Sequence, residues 1–165
     1  MGFTKLSPPE KAKTGCLKIF TAQWGGRNAQ MRIAISIPGA LYTIAFGAAE
    51  KLDLFLGDGS DLGKLMLKPA EGDGGFKVKM LKNTFIVTLP VTEDIPQISL
   101  KYDNPDHRTR AGESLVIDLP EWAFVKGKWR EIQKARATAS AQNSAQAAAN
   151  PTTRKDALAR IGNLK

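Results

Sequence analysis

The chain is predicted to be mainly β: a small barrel or sandwich of two repeated strand units with one short helix, carrying flexible basic N- and C-terminal tails. Three observations support this. Eight short runs alternate apolar and polar residues within about a hundred positions, the period-two signature of half-buried strands. Three of those runs stop at Ile37-Pro38, Leu89-Pro90 and Leu119-Pro120. The net charge of +8 is carried by the ends and not by the middle.

The runs are "LKIF" (17–20), "RIAISI" (32–37), "LDLFL" (52–56), "KLMLK" (64–68), "FKVKM" (76–80), "TFIVTL" (84–89), "ISLKY" (98–102) and "SLVIDL" (114–119). Alternation puts Leu52, Leu54 and Leu56 on one face, and Phe76, Val78 and Met80 on another, with Lys77 and Lys79 opposite. "GALYTIAFGAAEK" (39–51) breaks the pattern. Leu41, Ile44, Ala45 and Ala48 fall at i, i+3, i+4 and i+7, which predicts one short helix with Gly47 weakening it. "GDGSDLG" (57–63) and "EGDGG" (71–75) read as turns. Neither carries the full ligand spacing of a calcium loop or the Lys-Ser/Thr pair of a phosphate loop.

The ends differ in composition. Residues 1–15, with Pro8-Pro9 and few apolar side chains, read as a flexible arm. Residues 16–125 form the β domain, with units at about 32–70 and 84–121. Residues 126–165 form a basic, Ala-rich tail. Its stretch "KARATASAQNSAQAAAN" (134–149, with Asn150) offers helix propensity but no apolar face, so a linker that is at most partly helical is expected. Thr152 or Thr153 could cap a terminal helix over 152–164.

Proline spacing suggests a repeat. Pro38 and Pro90 are 52 residues apart, and Pro69 and Pro120 are 51 apart, each behind an apolar strand. Proline donates no backbone hydrogen bond and keeps its predecessor extended, so such a strand must leave its sheet at that point. After Pro38 the chain can enter a helix directly.

Residues 33–69, a strand ending in Ile-Pro, a helix holding Phe46-Gly47, the strand "KLDLFL", a Gly-Asp turn and "GKLMLKP", resemble the AbrB/MazE-like swapped-hairpin DNA-binding domain. In that family two such units interlock. The resemblance implies that one chain holds both halves, the second at 85–120 with its helix replaced by "VTEDIPQ". Family members carry basic residues near the Ile-Pro and on the following helix. Here that helix is apolar and ends in acid, with only Arg27 and Arg32 nearby, which moves the expected DNA contacts toward the tails.

Chemistry-bearing residues are sparse. His107 is the single histidine and Cys16 the single cysteine, so no internal disulfide can form. Asp103, Asp106, His107 and Glu113 match no metal-ligand spacing and read as a polar hairpin loop. No catalytic residue, metal or cofactor is expected. "HRTR" puts Arg108 and Arg110 on that loop, and "VKGKWREIQKAR" groups Lys126, Lys128, Arg130, Lys134 and Arg136 around Trp129. Basic residues with an aromatic can hold phosphates and stack bases.

The expectation is a non-enzymatic, cytoplasmic nucleic-acid-binding regulator or accessory protein, monomer or homodimer, with no membrane contact. Its ligand is expected to be DNA, bound electrostatically through Arg27, Arg32, Arg108, Arg110, Lys126, Lys128, Trp129 and Arg130. The alternative is a protein-interaction module, an inhibitor or scaffold of the phage or mobile-element kind, docking through its barrel or its C-terminal helix.

Overall fold

The computed structural model describes residues 15–25, 29–91 and 93–149. Arg27, most of the expected N-terminal arm and the expected helix at 152–164 lie outside the described residues. The chain divides into two compact units, Met1–Phe124 and Val125–Lys165.

The first unit is β-rich. Its strands are β1 (Lys18–Trp24), β2 (Gln30–Pro38), β3 (Lys51–Leu56), β4 (Lys64–Pro69), β5 (Phe76–Lys77), β6 (Lys79–Leu81), β7 (Thr84–Thr88), β8 (Lys101–Asp103), β9 (His107–Arg110) and β10 (Ser114–Asp118). They form two five-stranded sheets, β6-β7-β2-β1-β8 and β5-β3-β4-β10-β9, and every pairing is antiparallel. Of the two expected architectures the chain adopts the sandwich, because both sheets keep open edges.

Alternation builds the core. Ile19, Ile35, Ile37 and Val87 from the first sheet, and Leu52, Leu65, Leu67, Leu115 and Ile117 from the second, are all buried. Each full burial of such a side chain contributes on the order of 1.5–3 kcal/mol.

Four hairpins make up most of both sheets. β1–β2 and β3–β4 come from the first half of the unit, β6–β7 and β9–β10 from the second. Each sheet joins one hairpin from each half, through β2–β7 and through β4–β10. Exchanging the halves (β1 with β6, β2 with β7, β3 with β9, β4 with β10) only reverses each four-strand order. The strands β5 and β8 are additions outside that pattern.

The register restricts which positions correspond: in each sheet the shift between the halves must be even. Ile35 lies opposite Val87, 52 residues later, as the spacing of Pro38 and Pro90 requires. In the second sheet Met66 lies opposite Val116, 50 residues later. The shift between the halves is therefore even in this sheet, buried Leu65 and Leu67 fall in step with buried Leu115 and Ile117, and Pro69 cannot match Pro120. The proline spacing of 51 is thus one residue off the structural repeat. An odd shift would turn inward side chains outward, so burial decides the register.

Helix α1 (Gly39–Phe46) follows Pro38 directly and packs against β2, β7, β9 and β10. It ends earlier than expected, because Gly47 takes φ 63° and its N–H closes onto the Thr43 carbonyl. Its buried face is Tyr42, Ala45 and Phe46, while Ile44 is 57% exposed, so the expected stripe is rotated. Tyr42 stacks on Phe85 of β7 at 3.9 Å between ring centroids, and its hydroxyl donates to the Ala49 carbonyl at 2.6 Å. Burial pushes the Tyr42 phenol up to about 12. Between Pro90 and β8 no helix forms among the described residues; the chain reaches β8 with Leu89, Ile95, Pro96 and Leu100 buried.

Two further expectations are corrected. "FKVKM" is not one strand. It gives β5 to the second sheet and β6 to the first, with Val78 at the crossing, where its N–H bonds the Glu50 carbonyl at 3.0 Å. Phe76 and Met80 are consequently exposed. "HRTR" is also not a loop; it is strand β9, paired along β10.

A short helix α2 (Glu121–Phe124) closes the first unit. Gly63 adopts φ 88° beneath Phe124, and a Cβ there would sit 2.8 Å from the ring. The second unit is the helix α3 (Lys128–Ala149), 22 residues long. This replaces the expected linker: alanine loses no side-chain entropy in a helix, and propensity suffices without an apolar face.

Candidate functional site

The register of the second sheet aligns residues across its outward face. Phe55 is opposite Met66, Met66 opposite Val116, and Val116 opposite Arg108. Paired residues share a face, so these four form one row running across the strands. Three of the four are apolar, and Phe55 is 46% exposed. The row floors an open groove of about 1060 Å³. Lys68, two pairs away, holds its ammonium 5.8 Å from the Phe55 ring centroid. On the other side Lys64 pairs with Asp61 at 2.6 Å, and that ammonium holds the Asp61 carboxyl below its usual range, first through the hydrogen bond and then through charge.

The groove carries both signs. Lys64, Lys68, Arg108 and Arg110 face Asp61, Glu71, Asp106, Glu113 and Asp118. It does not present the one-signed field that a polyanion selects. Among the described residues no group of three or more His, Cys, Asp or Glu side chains could hold a metal ion. His107 sits at the groove rim with its Nδ1 3.1 Å from the Pro105 carbonyl.

The sequence-predicted site residues fall in separate places. Arg108 and Arg110 stand together on β9, both exposed. Arg32 lies on β2 in the other sheet, opposite Ala22, and its Nε is buried with no hydrogen-bond partner among the described residues. Lys126 is exposed at the start of the second unit. Lys128 pairs with Glu131 at 3.0 Å. Trp129 is only 7% exposed, and Arg130 lies over its ring at 4.9 Å. The indole is largely buried and its ring carries a cation.

No protein-family model, curated protein or solved structure matches this chain. Function must therefore be argued from its own geometry.

Sequence reasoning missed the apolar row, although a signal was there. Phe55, Met66 and Val116 are each the middle of an uninterrupted apolar triplet: Leu54-Phe55-Leu56, Leu65-Met66-Leu67 and Leu115-Val116-Ile117. A strand cannot bury three consecutive side chains on one face, so the middle one must point outward. Only the register shows that the three outward residues stand in line.

Proposed function

We propose that the chain is a non-enzymatic nucleic-acid-binding accessory protein that holds its ligand electrostatically, with DNA as the expected form. The observation that carries this is segment 126–136. It places Lys126, Lys128, Arg130, Lys134 and Arg136 against one acid, Glu131, on an exposed loop and the first turns of α3. Five cations within eleven residues give this segment the local positive charge that attracts a polyanion. The hairpins exchanged between the two halves support an AbrB/MazE-like, internally duplicated design, with contacts moved off the apolar helix α1. Arg130 is preset by the Trp129 ring, which lowers the ordering cost of its contact.

The test is fluorescence anisotropy with labelled duplex and single-stranded oligonucleotides between 20 and 200 mM salt, roughly the range over which counterion release changes affinity by orders of magnitude. Binding should weaken steeply with salt. Lys126→Ala with Lys134→Ala should lower the log–log slope by about two. Absence of binding to either oligonucleotide at the lowest salt rejects the reading.

A second reading, a protein-interaction module, is favoured by the outward-facing row of exposed Phe55 and half-buried Met66 and Val116 on a face of mixed charge. Among the described residues no helix is long and apolar enough to cross a membrane.

A further inference from the structure

The symmetry of the sandwich leaves one edge unfinished. On one side of the second sheet β3 is flanked by β5, through Lys51 opposite Lys77 and Leu52 opposite Phe76. Exchange of the two halves carries β3 onto β9, and beyond β9 no strand of the described residues stands in the place of β5.

The phase of the ladder shows what this edge offers. The Asp118 N–H donates to the Asp106 carbonyl at 2.9 Å, so residues 106 and 118 form a hydrogen-bonded pair. Every second pair repeats that geometry. Arg108 and Arg110 therefore turn their backbone groups inward to Val116 and Ser114. His107 and Thr109 turn their N–H and C=O groups outward, where a further strand would meet them. The side chains alternate the other way. Arg108 and Arg110 share the outward face with Val116 and Ser114, beside the groove. No acid of the described residues lies within ion-pair distance of either arginine.

We propose that β9 is a docking edge for an extended acidic segment of another polypeptide. The segment adds as a sixth strand, bonds the backbone of His107 and Thr109, and sets acidic side chains at alternate positions opposite Arg108 and Arg110. Main-chain pairing supplies affinity and the alternating charge supplies register and selectivity. Its outward side chains extend the Phe55–Met66–Val116–Arg108 row. A nucleic-acid strand could meet the two arginines but has no peptide groups for His107 and Thr109. This inference is independent of the basic helix.

The test uses the full chain and an end-blocked decapeptide alternating Val and Glu, read by amide hydrogen exchange. The His107 and Thr109 amides should be protected at least tenfold at millimolar peptide. Arg108→Glu with Arg110→Glu should abolish that protection. Thr109→Pro offers a gentler variant: it removes an N–H that β10 does not use, as edge strands tolerate, so the fold should persist while docking is lost. No protection in the parent protein, equal protection by a Val-Lys decapeptide, or the same protection by an oligonucleotide would each overturn the proposal. Persistence of docking in folded Thr109→Pro would also overturn it.

Discussion

Ile35 and Val87 stand directly opposite one another where β2, from the first half of the unit, meets β7, from the second. Both are fully buried. The pair lies on the ladder that joins the two halves in the first sheet, as Met66 and Val116 do in the second. The two halves are thus joined by core packing at their centre. Ile35→Ala should cost about 2–5 kcal/mol, and Val87→Ala somewhat less. Because the residues touch, their double mutant should depart from additivity by about 0.5–3 kcal/mol in urea unfolding. Full additivity would show that the two halves do not share a core here.

Tyr42 links α1 of the first half to Phe85 of the second. Tyr42→Phe removes only the bond to the Ala49 carbonyl and should cost about 1–3 kcal/mol, since it leaves a part-buried acceptor unpaired. The phenol is pushed up to about 12 in the folded state from 10.0. Between those values the unfolded chain has lost its proton while the folded chain keeps it. Stability is therefore complete below pH 10 and declines as pH rises toward 12. Unfolding midpoints measured across that range should fall more in the parent than in Tyr42→Phe.

Gly63→Ala tests a position where both conformation and space require glycine. A side chain at φ 88° is strained, and its Cβ would meet the Phe124 ring at 2.8 Å. The expected loss is about 1–3 kcal/mol from the backbone alone. Phe124→Leu should relieve the clash but not the strain, so thermal unfolding of the double variant should recover only part of the loss.

Asp61 is held below its usual range by Lys64. Whatever stability the pair gives is present above the carboxyl's ordinary value of 3.8 and is lost as pH falls through the lowered one. In Lys64→Ala the Asp61 carboxyl, followed by NMR, should titrate higher than in the parent. An unchanged titration would mean the pair does not form in solution.

Helix α3 stands on propensity, so glycine should act on it at full strength. Ala137→Gly and Ala141→Gly, both at exposed sites, should each weaken it by about 1 kcal/mol. Far-UV circular dichroism should show helix loss without a change in the first unit's unfolding midpoint.

Much of the fold was legible because period two is written into the chain. The strands from Leu52, Leu65, Leu115 and the isoleucines of β2 sit where alternation put them. The helix after Pro38 was legible in place but not in orientation: with Ile44, Tyr42 and Phe46 all apolar, the pattern could not say which face α1 turns inward. The strand β9 was hidden because "HRTR" carries no apolar residue. Its strand state comes from the ladder with β10, a nonlocal cause. Likewise "FKVKM" looks like one strand, and only the position of two sheets around Val78 splits it.

For the candidate site, the sequence by itself determined residue types: basic side chains at the ends, Arg108 and Arg110 in one short run, and no concentration of metal-binding or nucleophilic groups. It also determined the strand alternation and the proline stops, since both follow from local backbone chemistry. Tertiary structure decided the rest. It put Pro69 and Pro120 out of step with the repeat, lined up Phe55, Met66 and Val116, and left β9 paired on one side only, through β10, among the described residues. Each depends on which strands pair and in what register, and register is fixed by the burial of many residues together, not by any one stretch of the chain.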